Sequence, residues 1–260
     1  MGEDGVVAEQ ECIHGFEPEF CDICTPRRAP EPVRPVRRTA PSAERAPRAP
    51  RPAPVRAQRL PTFDPSRHRV FHVVHRDTLA GILADGALRA DATPPVDLST
   101  PLIRELRATV PATADERVSD RVAFALSDQA SWWRDLRDGA LDRTRWSDAA
   151  RAARHADFVV LVATLGGLGD VVVTDADAAS AVARFARTPE EIARTLARVR
   201  AGAGALEGEA LAAGPVPFES IVLVGVANEP ARESVRELLA AHGRRDVRVA
   251  LSPEWLLPEV

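Results

Sequence analysis

The sequence predicts an α+β fold. Helix and strand signals interleave irregularly from Phe63 onward, without the even alternation of a doubly wound sheet. The run Phe158–Thr164 is apolar and β-branched on both faces, as a buried strand is. Several segments also carry helix-capping residues at their starts. Hydrophobic residues make up 45% of the 260, enough for a sizeable core. No run approaches the roughly 18 consecutive apolar residues of a membrane-spanning helix.

The elements follow in order. A short strand at Val70–Val74 leads to a helix around Thr78–Leu83, with Asp77 placed to cap it and Gly86 to end it. A second helix covers Pro101–Thr109. Val122–Leu126 reads as a strand, and a helix containing Trp132 and Trp133 follows it. Another helix spans Asp148–His155, ahead of the strand Phe158–Thr164. Gly166-Gly167-Leu168-Gly169 follows a strand but precedes Asp170 and another strand, so it is a tight turn and not a phosphate loop. Val171–Thr174 reads as a short strand, and Ala176–Ala186 as a helix capped by Asp175. Thr188-Pro189-Glu190-Glu191 is a capping box with proline at the first helical position, which predicts a helix to about Arg200. Ala201–Gly204 is a flexible break. Strands at Leu206–Ala212 and Ser220–Val226, a helix at Pro230–His242 and a strand at Val247–Leu251 complete the series.

Charge divides the chain into three parts. Residues 1–25 hold seven acids and no arginine, whereas residues 26–60 hold ten arginines and two acids. The second stretch is also crowded with proline, which removes backbone donors, and its like charges repel. It reads as a disordered linker over 26–62 with polyproline II bias. It is either a passive spacer or an electrostatic arm for nucleic acid. The folded domain then spans 63–260. The acidic start lacks the apolar stretch of a secretory signal, so a cytoplasmic protein is expected.

All three cysteines lie near the N-terminus, too few and too close for a disulfide framework. Cys12, His14, Cys21 and Cys24 supply four soft or borderline ligands within 13 residues. Structural Zn²⁺ takes such ligands tetrahedrally, and a segment with so little apolar material folds only around the metal. A zinc knuckle over 1–25 is therefore expected.

The 34 basic residues are all arginine, which excludes Schiff-base and P-loop lysine chemistry. GxSxG and HExxH motifs are absent. His72 and His75 are three apart on a strand and point to opposite faces, so they are not a joint metal pair.

The stretch Val70-Phe-His72-Val-Val-His75-Arg-Asp-Thr-Leu79-Ala-Gly-Ile82 through Gly86-Ala-Leu88 resembles the opening of DarT-type DNA ADP-ribosyltransferases, toxins of toxin–antitoxin systems. Arg121-Val-Ala-Phe124 resembles that family's second strand. Val171–Ser180 with Arg184-Phe185 is similar to its Thr-Asp segment. Glu207-Gly-Glu209-Ala-Leu211, with Gly214-Pro-Val-Pro217 and Ile221, resembles its catalytic-glutamate strand and the next strand, and Trp255 its closing aromatic. Three positions depart from the pattern. Gly208 stands where the family has alanine, Thr78 where it has asparagine, and Ala125–Gln129 replaces an aromatic, Arg- and Pro-rich stretch.

The resemblance implies a split central sheet forming an NAD cleft, and NAD-dependent mono-ADP-ribosylation of a base in single-stranded DNA as a toxin or phage-defence activity. It assigns Glu209 as the catalytic carboxylate, His72 and Thr78 to NAD binding, and Arg107 as the site arginine, with Arg104 as the competing alignment. It also implies a macrodomain antitoxin as partner. An enzyme of this fold acting on RNA or protein, or an inactive zinc-knuckle adaptor that binds nucleic acid, are the alternatives. The tryptophans Trp132 and Trp133 serve either core packing or base stacking.

Overall fold

The computed structural model describes residues 63–258. The expected zinc knuckle with Cys12, His14, Cys21 and Cys24, and the linker 26–62, lie outside the described residues. Within them the order is β1 (Arg69–His75), α1 (Arg76–Asp85), β2 (Ala87–Leu88), α2 (Pro101–Thr109), β3 (Arg121–Ala125), α3 (Ser131–Asp138), α4 (Asp148–Ala152), β4 (Phe158–Thr164), β5 (Val171–Thr174), β6 (Phe185–Ala186), α5 (Pro189–Arg200), β7 (Glu209–Ala213), β8 (Val216–Pro217), β9 (Ile221–Val226), α6 (Glu229–Ala241), β10 (Arg248–Leu251) and α7 (Pro253–Leu256). Eight strands form one mixed sheet in the order β10-β9-β4-β1-β3-β7-β5-β6, with only the β9–β10 pair parallel.

The sheet is not uniformly zipped. Strand β1 pairs with β4 over seven registered residues, and β3 with β7 over five, but β1 meets β3 at Phe71↔Ala125 alone. The two halves therefore part along the β1–β3 seam. Two imidazoles span it: His72 Nδ1 lies 2.7 Å from the Ala123 carbonyl oxygen, and His68 Nε2 lies 2.9 Å from that of Leu126. These side chains satisfy carbonyls that a continuous ladder would have paired with backbone N–H groups.

Each face of the sheet is covered. On one, Val70, Val74, Phe124, Leu161, Ala210 and Val224 pack with Leu79 of α1, Leu196 of α5 and Val235 of α6. On the other, Phe71, Ala125, Val160 and Val162 pack with Trp133 and Leu136 of α3, Ala150 of α4 and Leu256 of α7. Trp133 is fully buried and donates its indole N–H to the Trp255 carbonyl, so it belongs to the core.

Helix α2, strand β4, strand β5 and the Thr188 capping box fall where the sequence places them. Other elements differ. Asp77 lies inside the first turn of α1, and the cap is His75, whose Nδ1 accepts from the Asp77 N–H at 3.2 Å. Gly86 ends that helix with φ +68°, a left-handed conformation that favours glycine. Helix α4 stops at Ala152, and His155–Asp157 form a 3₁₀ turn tied by Arg154 and Asp157. The strand expected from Leu206 begins only at Glu209, because Gly208 N–H bonds back to the Ala205 carbonyl.

The largest correction is the helix expected over Ala176–Ala186. Its first part is a loop, and Phe185–Ala186 return as β6 to close a hairpin with β5. Asp175 is not a helix cap: its Oδ1 accepts from Arg184 N–H across the loop, and its other oxygen pairs with Arg198 of α5. Asp177 accepts from Ala179 N–H, and Ser180 from Val182 N–H. Short polar side chains here bond the local backbone and displace the helical ladder that the alanines favour.

Candidate active site

Glu209 opens β7 and is buried. The chain reaches it through Ala205, whose φ of +62° is unusual for a residue with a side chain, and through Gly208. A Cβ on Gly208 would lie 2.4 Å from the Thr174 carbonyl oxygen, so only glycine lets β7 start this close to the end of β5. The Glu209 N–H donates to Thr174 Oγ1 at 3.0 Å, and that hydroxyl donates to the Ala176 carbonyl at 2.6 Å. The backbone N–H of Glu209 is thus tied through the Thr174 hydroxyl to the start of the β5–β6 loop.

Helix α2 delivers the opposite charge. Thr100 caps it by accepting from Ile103 N–H, and Pro101 sits in its first turn. Arg107 leaves its last turn and meets Glu209 with two parallel bonds, Nη1 to Oε1 and Nη2 to Oε2, both 3.1 Å. This fork geometry matches guanidinium to carboxylate. Ala178 N–H donates a third bond, to Oε2, at 3.1 Å. Asp177 stands 3.7 Å from Arg107 Nη1, and Arg145 donates to Asp177 at 2.7 Å. Arg145 in turn lies over the Trp132 ring, 5.9 Å from its centroid. The four charges alternate in sign and sum to zero. Burial opposes the Arg107 charge, but Glu209 and then Asp177 outweigh it and raise its pKa. Burial likewise opposes the Asp177 charge, yet Arg145, the Ala179 N–H and Arg107 hold its carboxyl below the usual range.

Arg104, the competing alignment, is exposed and pairs with Asp97. His72 occupies the seam. Burial lowers its pKa, although the Ala123 carbonyl opposes that. The ring is therefore neutral near pH 7, with Nδ1–H donating to the carbonyl and Nε2 left as an acceptor. The register Phe71↔Ala125↔Glu209 puts Glu209 two strands from β1, about 10 Å at ~4.8 Å per strand spacing. Strand alternation puts His72 on the opposite side of the sheet from Phe71 and Glu209, at the edge of the gap. Thr78 lies in the first turn of α1, where its hydroxyl donates to the Val96 carbonyl at 3.2 Å and holds the following loop. The structure thus brings Glu209 and Arg107 together, and leaves His72 and Thr78 on the other half of the split sheet.

A family model described as "ssDNA thymidine ADP-ribosyltransferase, DarT" matches residues 71–257. The chain belongs to the DarT family. It is accordingly an NAD-dependent ADP-ribosyltransferase of single-stranded DNA. Solved structures carry the same fold. Thermus sp. 2.9 DarT in complex with ADP-ribosylated ssDNA superposes with a TM-score of 0.62 at 20% identity, over 74% of this chain and 97% of that one. The same protein in complex with NAD⁺ gives 0.58 at 20% identity, over 74% and 99%. Thermosipho africanus DarTG in complex with ADP-ribose gives 0.54 at 16% identity, over 74% of this chain and 52% of that one. None of the curated proteins compared matches the chain significantly. The split sheet expected of an ADP-ribosyltransferase-like α+β fold is borne out. Among the described residues, no helix is long and apolar enough to cross a membrane.

Asp177, Arg145 and the Ala178 N–H are members of the cluster that sequence reasoning does not single out. The quoted Thr174-Asp175-Ala176-Asp177 segment carries the signal, but reading it as a helix start conceals it.

Proposed function

We propose that the chain transfers ADP-ribose from NAD⁺ to thymidine in single-stranded DNA, with Glu209 as the catalytic carboxylate and Arg107 as its partner. The bidentate Arg107–Glu209 pair, buried at the start of β7, carries this reading. Nicotinamide leaves with the electrons of its glycosidic bond, and positive charge develops on the ribose carbon and ring oxygen. A carboxylate placed beside that carbon stabilises the charge where it develops. Arg107 holds Glu209 in place through its two parallel bonds and presents guanidinium donors to anionic groups of NAD⁺ or to the acceptor carbonyls. Thymine in a nucleotide has one ring N–H, so the proton lost on bond formation comes from it. Glu209 is the base placed to take that proton.

His72 offers a neutral Nε2 acceptor to a ribose hydroxyl, and Thr78 fixes the loop beside the first strand of the cleft. Cys12, His14, Cys21 and Cys24 hold one structural zinc, a reading supported by their spacing and by the clustering of every cysteine of the chain. A macrodomain antitoxin is the partner, in keeping with the DarTG neighbour, and the protein acts in the cytoplasm, where its DNA substrate is.

The test is labelled NAD⁺ with single-stranded oligonucleotides that each contain one type of target base, alongside RNA and protein acceptors. Transfer is expected on thymidine-containing DNA. Label on RNA or protein, with none on DNA, would refute the reading.

A further inference from the structure

We propose that Asp177, locked by Arg145, is a positioning residue for Arg107 that keeps the guanidinium in place when Glu209 turns to its substrate. The inference rests on the reading of Glu209 and Arg107 given above, and deepens it.

In the resting site Arg107 spends both terminal nitrogens on Glu209, and Ala178 N–H occupies one of the same oxygens. A carboxylate so held has little freedom to face a ribose. Catalysis requires that this clamp loosen without Arg107 losing its counter-ion, because a buried guanidinium without an anion is costly. Asp177 is the second anion in reach, 3.7 Å from Nη1. It is mostly buried and cannot drift to solvent, since Arg145 holds its other oxygen at 2.7 Å and Ala179 N–H holds Oδ1 at 2.9 Å. Arg145 is itself braced over Trp132. The arrangement lets Arg107 shift its pairing from Glu209 towards Asp177 while the net charge of the cluster stays balanced.

Asp177 also has a plain structural task. Its bond to Ala179 N–H forms a turn that aims the neighbouring Ala178 N–H at Glu209. The two tasks separate by substitution. Asparagine keeps a side-chain oxygen for Ala179 N–H, and so keeps the turn, but it removes the charge facing Arg107 and Arg145. Arg145→Gln reaches the same pair from the other end and leaves the turn untouched.

The experiment is steady-state transfer from NAD⁺ to a thymidine oligonucleotide by the full chain, with melting temperatures measured alongside. Asp177→Asn is expected to lower kcat roughly 10–100-fold, the scale of a catalytic group displaced by about an ångström. KM for NAD⁺ should change by less than about threefold and the melting temperature should hold. Arg145→Gln should lower kcat in the same direction, and Asp177→Glu should recover part of the loss. In an Arg107→Lys background Asp177→Asn should add little, because the group it serves is already altered. Wild-type kcat in Asp177→Asn, or a loss that multiplies in full on top of Arg107→Lys, would overturn the proposal and leave the Glu209 reading standing. Undiminished transfer by Glu209→Gln would instead remove that reading, and this inference with it.

Discussion

Gly208→Ala should cripple the protein even though it restores the residue the family pattern has at this position. The added methyl would lie 2.4 Å from the Thr174 carbonyl oxygen, 2.9 Å from Leu126 Cδ1 and 3.0 Å from the Ala205 carbonyl oxygen. Two of those three atoms are backbone and cannot swing away. Each is also held: Gly208 N–H donates to the Ala205 carbonyl, the Gly208 carbonyl accepts from Leu126 N–H, and the Thr174 hydroxyl ties Glu209 to the same strand end. Relief therefore means moving β5 and β7 apart at the first residue of the site. Overpacking of this kind costs about 1–3 kcal/mol. At about 2 kcal/mol, a domain of this size loses roughly 4–8 °C in melting temperature. Because the displaced residue adjoins Glu209, kcat should fall by about tenfold or more beyond any loss from unfolding. Differential scanning fluorimetry and oligonucleotide transfer at a temperature well below the transition read the two effects. A melting temperature within about 1 °C of wild type, with unchanged kcat, would show that β7 has room the structure denies it.

Stability should decline as pH falls below about 6.5, because His68 and His72 are held neutral in the fold and the unfolded chain takes up protons they refuse. That contribution is present above the unfolded histidine value and is lost as pH drops through the lower folded values. His72→Gln keeps a donor for the Ala123 carbonyl and should flatten the decline, so identical slopes of melting temperature against pH between about 6.5 and 5 would contradict the assignment. Native mass spectrometry should find one zinc per chain, absent from the Cys21→Ser, Cys24→Ser double variant. Wild-type protein from zinc-replete medium that carries no metal would end the zinc reading.

Much of the fold is legible because its signals are local. The all-apolar run of β4, proline and threonine at the start of α2, and the Thr188–Glu191 box each announce themselves within a few residues. What is illegible is decided by partners far off in sequence or by side chains that bond their own backbone. The alanine-rich stretch after β5 counts as helix by propensity, yet Asp175, Asp177 and Ser180 fold it into a loop. His75 caps α1 from the end of a strand, a residue type outside the usual N-cap set. The same distinction applies at the site. Glu209 and His72 are singled out only by motif resemblance, whereas spacing alone cannot tell Arg107 from Arg104. The pairing that separates them spans 102 residues of chain, and Asp177 enters the cluster only once the β5–β6 loop is folded.

In the proposed mechanism, transfer turns on one carboxylate, that of Glu209. Its most direct test is kcat for ADP-ribosyl transfer to a thymidine oligonucleotide, at saturating NAD⁺, by wild type and by Glu209→Gln. Glutamine keeps the size of the side chain and an oxygen for Ala178 N–H or Arg107, but not the charge. The expected result is a loss of about 10²–10⁴-fold, the range for a positioned catalytic group, with NAD⁺ affinity and melting temperature little changed. Turnover by Glu209→Gln at the wild-type rate would contradict it.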